Sequence, residues 1–278
     1  MKIIETVAQL QDAIKSHGSS LLGFVPTMGA LHSGHVSLVD CARRQCDIVV
    51  VSIFVNPTQF NDKGDLATYP RTPDADAEML SRSGVDYIFM PSVEEIYPTA
   101  DTRIFDFGKR DKVMEGASRP GHFNGVAQVV SRLFDIVKPN KAYFGEKDFQ
   151  QIAIIRAMVD MLKLDVEIID CPIVRDVDGL ALSSRNTLLT VDHRAAAPEI
   201  YKALCEGVKL SMTCSPAQVI DAVTKQINTN PLLEVIYFEI VDSLSLQRVD
   251  AWDEAEAIQG CITVKAGEVR LIDNIKFR

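Results

Sequence analysis

Long hydrophobic stretches are missing from this sequence. No uninterrupted apolar run approaches the roughly 18 residues that a membrane-spanning helix needs. Positive charge is also in short supply: 29 Lys and Arg stand against 38 Asp and Glu, a formal net charge of −9. A surface of that sign attracts neither nucleic acid nor an anionic membrane, so neither is an expected partner. The six cysteines (Cys41, Cys46, Cys171, Cys205, Cys214 and Cys261) include no Cys-x-x-Cys pair, which argues against a zinc ribbon or a disulfide framework. They read as small apolar side chains in a reducing compartment. Internal repeats, low-complexity linkers and long runs of like charge are absent too. The opening MKIIETVAQLQDAIKSHG has the pattern of a charged amphipathic helix rather than of a secretory signal, and a cytoplasmic protein is expected.

What remains is ordinary globular material. A chain of 278 residues, 47% hydrophobic and 24% charged, suffices for one large domain or two modest ones without a disulfide or structural metal. Its first two-thirds alternates strand-like apolar runs with helical periods. LLGFVP, IVVVSIF, DYIFM, KAYF and VEIID read as strands buried on both faces. Between them, Thr72-Pro73 has the chemistry of a helix start, and NGVAQVVSRLFDIVKP reads as a helix stopped before Pro139. This pattern describes a Rossmann-like α/β domain with a parallel sheet, over residues 1–175. Two helical patterns follow, about 191–211 and 216–229, and then three strand patterns with Gly-containing turns. Residues 176–278 are therefore expected to form a smaller C-terminal α+β domain.

The strongest chemical signal is Pro26-Thr-Met-Gly-Ala-Leu-His-Ser-Gly-His35, placed between the first buried strand and a helix. Ligands of open α/β sheets sit beyond the carboxyl ends of the strands, and a helix N-terminus favours phosphate. Gly29 and Gly34 allow close backbone approach, while His32 and His35 can donate to phosphate oxygens. A zinc site would lack a third ligand nearby. On this strand–loop–helix junction, His-Ser-Gly-His resembles the HxGH signature of nucleotidyltransferases and class I aminoacyl-tRNA synthetases.

A second, basic loop is expected further along, and VRDVDGLALSSRN (174–186) is the candidate. The hydroxyls of Ser183 and Ser184 and the permanent charge of Arg185 suit a triphosphate and the charge that develops on it. Gly145-Glu146-Lys147-Asp148 occupies another strand–helix junction. Lys147 supplies a point charge, and Asp148 could cap the helix or help hold Mg²⁺. Gln59, just beyond the second buried strand, can both donate and accept toward a substrate with hydroxyl and carboxylate groups, and Gln151 would face the same way. Asp74 and Asp76 could cap a helix or contribute to metal binding.

Seven segments in order, PTMGALHSGH, SIFVNPTQF, YPRTPDAD, RPGHFNGVAQVV, YFGEKDFQQ, VRDVDGLALSSRN and RLIDNI, closely resemble the pantoate–β-alanine ligase family over nearly the whole chain. The resemblance implies a two-step reaction. ATP and pantoate give pantoyl adenylate and pyrophosphate, and β-alanine then displaces AMP. It implies a homodimer; Mg²⁺ is expected across the phosphates, and because the two phosphate-binding loops straddle the domain boundary, the C-terminal domain is expected to close as a lid. By motif match, Met28, Gly29, Ala30, Leu31, His32, Ser33, Gly34 and His35 would line the ATP site, with His35 the usual proton donor. Gly145, Glu146, Lys147, Asp148, Val174, Leu182, Ser183, Ser184 and Arg185 would add ATP contacts. Among these, His32, His35, Lys147, Ser183, Ser184 and Arg185 would act on the reacting phosphates. Gln59 and Gln151 would hold pantoate. Family members commonly carry Thr where this sequence has Gln128.

Overall fold

The apolar runs LGFVPT and IVVVSI lie side by side at the centre of a parallel sheet, and burial on both faces explains their lack of polarity. The computed structural model describes residues 1–60 and 63–278. Its larger sheet comprises β1 (Lys2–Ile4), β2 (Leu22–Thr27), β3 (Ile48–Ile53), β4 (Tyr87–Phe89), β5 (Lys141–Gly145) and β6 (Glu167–Cys171). Their spatial order is β1-β4-β3-β2-β5-β6, and every pairing is parallel. The intervening helices are α1 (Val7–Lys15), α2 (Ser33–Gln45), α3 (Lys63–Thr68), α4 (Pro73–Ser81), α5 (Val93–Ile96), α6 (Met114–Ser118), α7 (His122–Val137) and α8 (Phe149–Leu162). Then come α9 (Val191–Ala196), α10 (Glu199–Leu210) and α11 (Pro216–Asn228). An antiparallel sheet of β7 (Leu233–Asp242), β8 (Ile258–Ala266) and β9 (Val269–Lys276) ends the chain, in the order β7-β8-β9.

Alternation along β3 lets one strand serve two cores. Ile48 and Val50 join Phe24, Leu10 and the apolar faces of α7 and α8 on one side. Val49 and Val51 join Val25, Leu38 of α2 and Leu80 of α4 on the other. The sheet is thus a layer between helices, the doubly wound arrangement expected from the sequence.

The chain divides into two compact units. The first contains Met1–Phe107, Arg119–Glu146 and Gln151–Pro172, and the second contains Gly108–Ser118, Lys147–Gln150 and Ile173–Arg278. Within the second unit, α10 and α11 pack Ala203, Leu204, Val219 and Val223 against Ile240, Ile262 and Val264 of the antiparallel sheet. Glu115 of α6 accepts from Tyr237 Oη at 3.2 Å and Thr263 Oγ1 at 2.9 Å, and pairs with Arg270 at 2.7 Å. Gln150 binds the same segment: its Nε2 donates to the carbonyls of Arg110 and Val113, and its Oε1 accepts from Glu115 N. These side-chain bonds are why two short pieces, distant in sequence, belong with the C-terminal sheet.

Three details differ from the sequence reading. The N-terminal helical pattern begins only at Val7, where Thr6 caps α1; Lys2–Ile4 instead pairs with β4, because the β-branched Ile3-Ile4 finds a free sheet edge. The pattern over 191–211 splits into α9 and α10, since Pro198 has no N–H to continue a helix. The edge strands β1 and β6 are only partly buried.

Candidate active site

The strand order reverses direction between β2 and β5, with β3 on the far side of β2 and β6 beyond β5. Loops leaving such a switch point diverge and open a crevice at the carboxyl edge. The segment after β2 is Met28–His32 and that after β5 starts at Glu146, so both sequence-expected elements of the first unit arise there.

The β2 loop is held in an uncommon conformation. Thr27 Oγ1 donates to Ser52 O at 2.7 Å and accepts from Gly29 N at 3.2 Å. Gly29 (φ 82°) and Ala30 (φ 49°) then occupy the left-handed region in succession. A Cβ on Gly29 would lie 3.0 Å from both Asp76 Oδ2 and Ile53 Cγ2, so both the conformation and the close packing favour glycine. The carboxylate of Asp76 accepts from Ala30 N at 2.9 Å, from Leu31 N at 2.8 Å and from Thr72 Oγ1 at 3.1 Å. Asp76, 2% exposed, is therefore the clamp of this loop. It does not cap α4, whose N-cap residue is Thr72; Asp74 lies exposed in the same first turn of α4.

His32 caps α2 from an extended backbone (φ −143°, ψ 175°), and the two imidazoles complete a reciprocal capping box. His32 Nδ1 accepts from Gly34 N at 3.1 Å, and His35 Nδ1 accepts from His32 N at 3.3 Å, with ring centroids 4.1 Å apart. A ring nitrogen that accepts from a backbone N–H carries no proton of its own. Each neutral ring must then hold its hydrogen on Nε2. The caps thus fix both tautomers and make both Nε2 atoms donors.

Gln59 ends the 3₁₀ turn Pro57–Gln59 that follows β3. Its Nε2 donates to Met28 Sδ at 2.8 Å, joining it to the loop after β2, and its Oε1 accepts from Asn56 Nδ2 at 3.5 Å. The RPGHFNGV segment cradles this turn. His122 Nδ1 donates to Gln59 O at 2.7 Å, Asn56 Nδ2 donates to Gly125 O at 3.2 Å, and Tyr97 Oη donates to Asn56 Oδ1 at 3.1 Å. A Cβ on Gly125 would come within 2.5 Å of Thr58 O and 2.8 Å of Gln59 Cα, so only glycine permits this approach. Gln128 is buried, and its Nε2 donates to the carbonyls of Asp101 and Arg103, holding that segment to α7.

The basic elements lie in the second unit. Lys147 sits in a 3₁₀ turn, Glu146–Asp148; its Nζ is 3.8 Å from Asp148 Oδ1 and its carbonyl accepts from Asn274 Nδ2 at 3.0 Å. Val174–Asn186 begins as a tight hairpin closed by Asp176 N to Leu180 O at 2.8 Å and Leu182 N to Val174 O at 3.0 Å. Arg194 grips its tip through Asp176 and Asp178, each at 2.6 Å, and the Arg194 guanidinium holds the Asp178 carboxyl below its usual range. Ser183 Oγ then accepts from Arg185 N at 3.3 Å and caps the 3₁₀ turn Ser184–Leu188.

The first unit brings together Met28, Gly29–His35 and Gln59, and also contains Gly145, Glu146 and Gln151. The second contains Lys147, Asp148, Val174 and Leu182–Arg185, the division falling between Gln150 and the half-buried Gln151. Sequence reasoning missed the supporting residues Asn56, Asp76, His122, Gly125 and Asn274. Their only trace was membership of motifs to which no role had been given, except that Asp76 had been offered as a helix cap or metal ligand. Among the described residues, no cluster of three or more His, Cys, Asp or Glu side chains could hold a metal ion, and no helix is long and apolar enough to cross a membrane.

Comparison with known proteins gives one family. The profile of the pantoate-beta-alanine ligase family matches residues 2–276. Pantothenate synthetase of Porphyromonas gingivalis is 58% identical over 280 residues, covering 100% of this chain and 99% of that one. That of Bacteroides fragilis is 53% identical over 281 residues with the same coverage. The crystal structure of pantothenate synthetase from Thermus thermophilus superposes with a TM-score of 0.94 at 42% identity, covering 100% of this chain and 99% of that one. Pantoate-beta-alanine ligase from Francisella tularensis, solved with beta-gamma ATP and beta-alanine, gives 0.85 at 37% identity over 100% and 98% of the two chains. The β2 loop, the two histidines and the glutamine turn joined to it therefore sit in a chain that belongs to the pantoate-beta-alanine ligase family.

Proposed function

We propose that this protein condenses pantoate with β-alanine to pantothenate, using ATP and releasing AMP and pyrophosphate through pantoyl adenylate. The observation that carries the reading is the reciprocal His32–His35 cap, which turns two imidazoles into Nε2 donors beside the β2 loop. No covalent nucleophile is needed. The pantoate carboxylate is already ionised and attacks the α-phosphorus of ATP; the bond to the β-phosphate bridging oxygen breaks, and pyrophosphate leaves. The amine of β-alanine then attacks the acyl carbon, and AMP departs with the oxygen contributed by pantoate.

His32 and His35 donate to phosphate oxygens, Lys147 and Arg185 neutralise the growing charge, and Ser183 and Ser184 add hydroxyl donors. Gln59 recognises pantoate. Its donor now faces a thioether sulfur, a weak acceptor, which a pantoate oxygen would readily replace. Gln151 takes the other pantoate contact. Mg²⁺ would be held mainly by the triphosphate, since a hard cation prefers phosphate oxygens and water, and Asp148, beside Lys147, would be the protein carboxylate that helps hold it. The working enzyme is a cytoplasmic homodimer.

Turnover with ATP, pantoate and β-alanine, each omitted in turn, tests the reaction. Pyrophosphate exchange should require pantoate, and AMP release should require β-alanine. A nucleotidyltransferase that stops at its nucleotide product would exchange pyrophosphate but release no AMP when β-alanine is added. Carboxylate oxygen-18 from pantoate should emerge in AMP; product formed without such transfer would overturn the mechanism. His35→Ala, Lys147→Ala and Arg185→Ala should each cost about 2–4 kcal/mol of transition-state stabilisation, and near-normal rates in all three folded variants would remove the site.

A further inference from the structure

The closing RLIDNI segment enters the site as described so far only through the bond from Asn274 to the Lys147 carbonyl, yet two adjacent side chains in it are buried and polar. Asp273 is 5% exposed and Asn274 3% exposed, both on β9. Successive residues of a strand point to opposite faces of its sheet. On one face, Val269 and Leu271 share the core with Ile200 and Leu204, and Asp273 continues that row. On the other, Arg270 meets Glu115, and Asn274 continues that row.

Each side chain closes on a different element of the second unit. Asp273 receives Arg175 in a bidentate pair, Nη1 to Oδ2 at 2.6 Å and Nη2 to Oδ1 at 2.8 Å. The Arg175 guanidinium also lies 3.6 Å over the Tyr201 ring and donates to Gly179 O at 3.1 Å. Gly179 is at φ 97°, and a Cβ there would come within 2.8 Å of Tyr201 Cδ1. Arg175 is therefore a plug, and Asp273 its socket, at the root of the hairpin that leads into Ser183-Ser184-Arg185. Asn274, meanwhile, donates its Nδ2 to Lys147 O at 3.0 Å, and its Oδ1 accepts from Gln259 Nε2 at 2.7 Å. That second bond fixes which end of the carboxamide faces Lys147.

We infer that Asp273 and Asn274 are positioning residues that set the spacing between the Lys147 turn and the Ser183–Arg185 turn, one from each face of β9. This rests on the reading of those turns as phosphate ligands. Two cationic groups that must meet one triphosphate gain only if their separation is fixed beforehand, and an error of about 1 Å can cost about 100-fold in rate. Neither side chain touches substrate in this account; each acts through the backbone or side chain that it holds.

The test is a double-mutant cycle read by pantoate-dependent ATP–pyrophosphate exchange with the full-length protein. Asn274→Asp keeps shape but replaces the donor with an acceptor facing the Lys147 carbonyl. It should lower kcat/KM for ATP by about 10- to 100-fold. In a Lys147→Ala background the same change should cost less than about threefold, because the group it positions is gone. Asp273→Asn should behave likewise against Arg185→Ala. Tyr237→Phe, which removes a bond to Glu115 on the same sheet, serves as the stability control and should leave kcat/KM unchanged. Equal fold-losses in both backgrounds, or no loss in either single variant, would overturn the inference. Should Asn274→Asp fail to fold, Gln259→Ala frees the carboxamide to turn and should show the same non-additivity at smaller amplitude. Wild-type exchange separates the two layers: if it needs no pantoate, the proposed function has failed, whatever the variants do.

Discussion

Replacing Asp76 by Asn is a near-isosteric change with a calculable consequence. Both carboxylate oxygens accept backbone hydrogens, Oδ1 from Leu31 N at 2.8 Å and Oδ2 from Ala30 N at 2.9 Å. An amide offers one acceptor and one donor. However it turns, one backbone N–H faces another N–H. A hydrogen bond to a charged acceptor is worth about 1.5–3 kcal/mol, and an orphaned buried donor costs about 1–3 kcal/mol. Leu31 is buried but Ala30 is half-exposed, so water can rescue the second donor and the amide should orient accordingly. The net loss is then about 2–4 kcal/mol. It can appear as lower unfolding free energy, if the loop keeps its shape. Alternatively, Gly29 and Ala30 can relax from their left-handed conformations, and the loss then appears as a rise in KM for ATP of about 10-fold or more. Urea unfolding and pantoate-dependent pyrophosphate exchange measure the two together. KM for pantoate should move less than KM for ATP. An unfolding free energy within about 0.5 kcal/mol of wild type, together with an ATP KM within about twofold, would refute the clamp.

Three further outcomes follow from other parts of the molecule. Gly125→Ala places a methyl 2.5 Å from Thr58 O and must push back the turn carrying Gln59; KM for pantoate should rise more than KM for ATP in steady-state assays. Burial raises the Glu239 pKa, against a backbone hydrogen bond from Met114 and the charge of Arg248. A carboxyl raised in the folded state stabilises below its ordinary value and loses that contribution as pH climbs through the folded value. Glu239→Gln should therefore raise Tm near neutral pH, and the gain should vanish below the ordinary Glu value of 4.5; thermal scans across that range decide it. In native alkylation mapped by mass spectrometry, Cys46, Cys171 and Cys261 should stay unmodified while Cys41, Cys205 and Cys214 react, since only the latter three are partly exposed. Burial, aided by a hydrogen bond with Cys41, pushes the Cys171 thiol up to about 12.

Most of the first unit's architecture was legible because its signals are local. Strand runs such as IVVVSI can only be buried on two faces, and a loop between such a strand and a helix can only lie at the sheet edge. The same holds for His32 and His35, three residues apart, whose bonds stay within one turn. The reading failed where a local pattern was equally compatible with two states. Ile3-Ile4 suits a helix face or an edge strand, and only β4, more than eighty residues away, decides between them. Pro198, by contrast, was a local signal that should have split the pattern over 191–211.

The clamps were hidden for a different reason. A loop that leaves a parallel strand has no ladder partner, yet its buried N–H groups still need acceptors. Those must come from whatever element packs above, and the fold alone determines which. Asp76 meets Leu31 across 45 positions, and Asn274 meets Lys147 across 127. In sequence, each looks like an ordinary helix-start acid or an ordinary strand amide. The consecutive Gly29-Ala30 conformation does carry an implication, however. The Gly29 N–H is met locally by Thr27 Oγ1, but the Ala30 and Leu31 N–H groups that follow have no ladder partner, so a buried acceptor must be supplied from outside the loop. The acids in the connection between β3 and β4 are natural suppliers, because β3 is the strand beside β2. Side chains suited to phosphate can thus be proposed from their own segments, whereas the residues that brace those segments become visible only when the unpaired backbone of the β2 loop is treated as a demand that some distant side chain must meet.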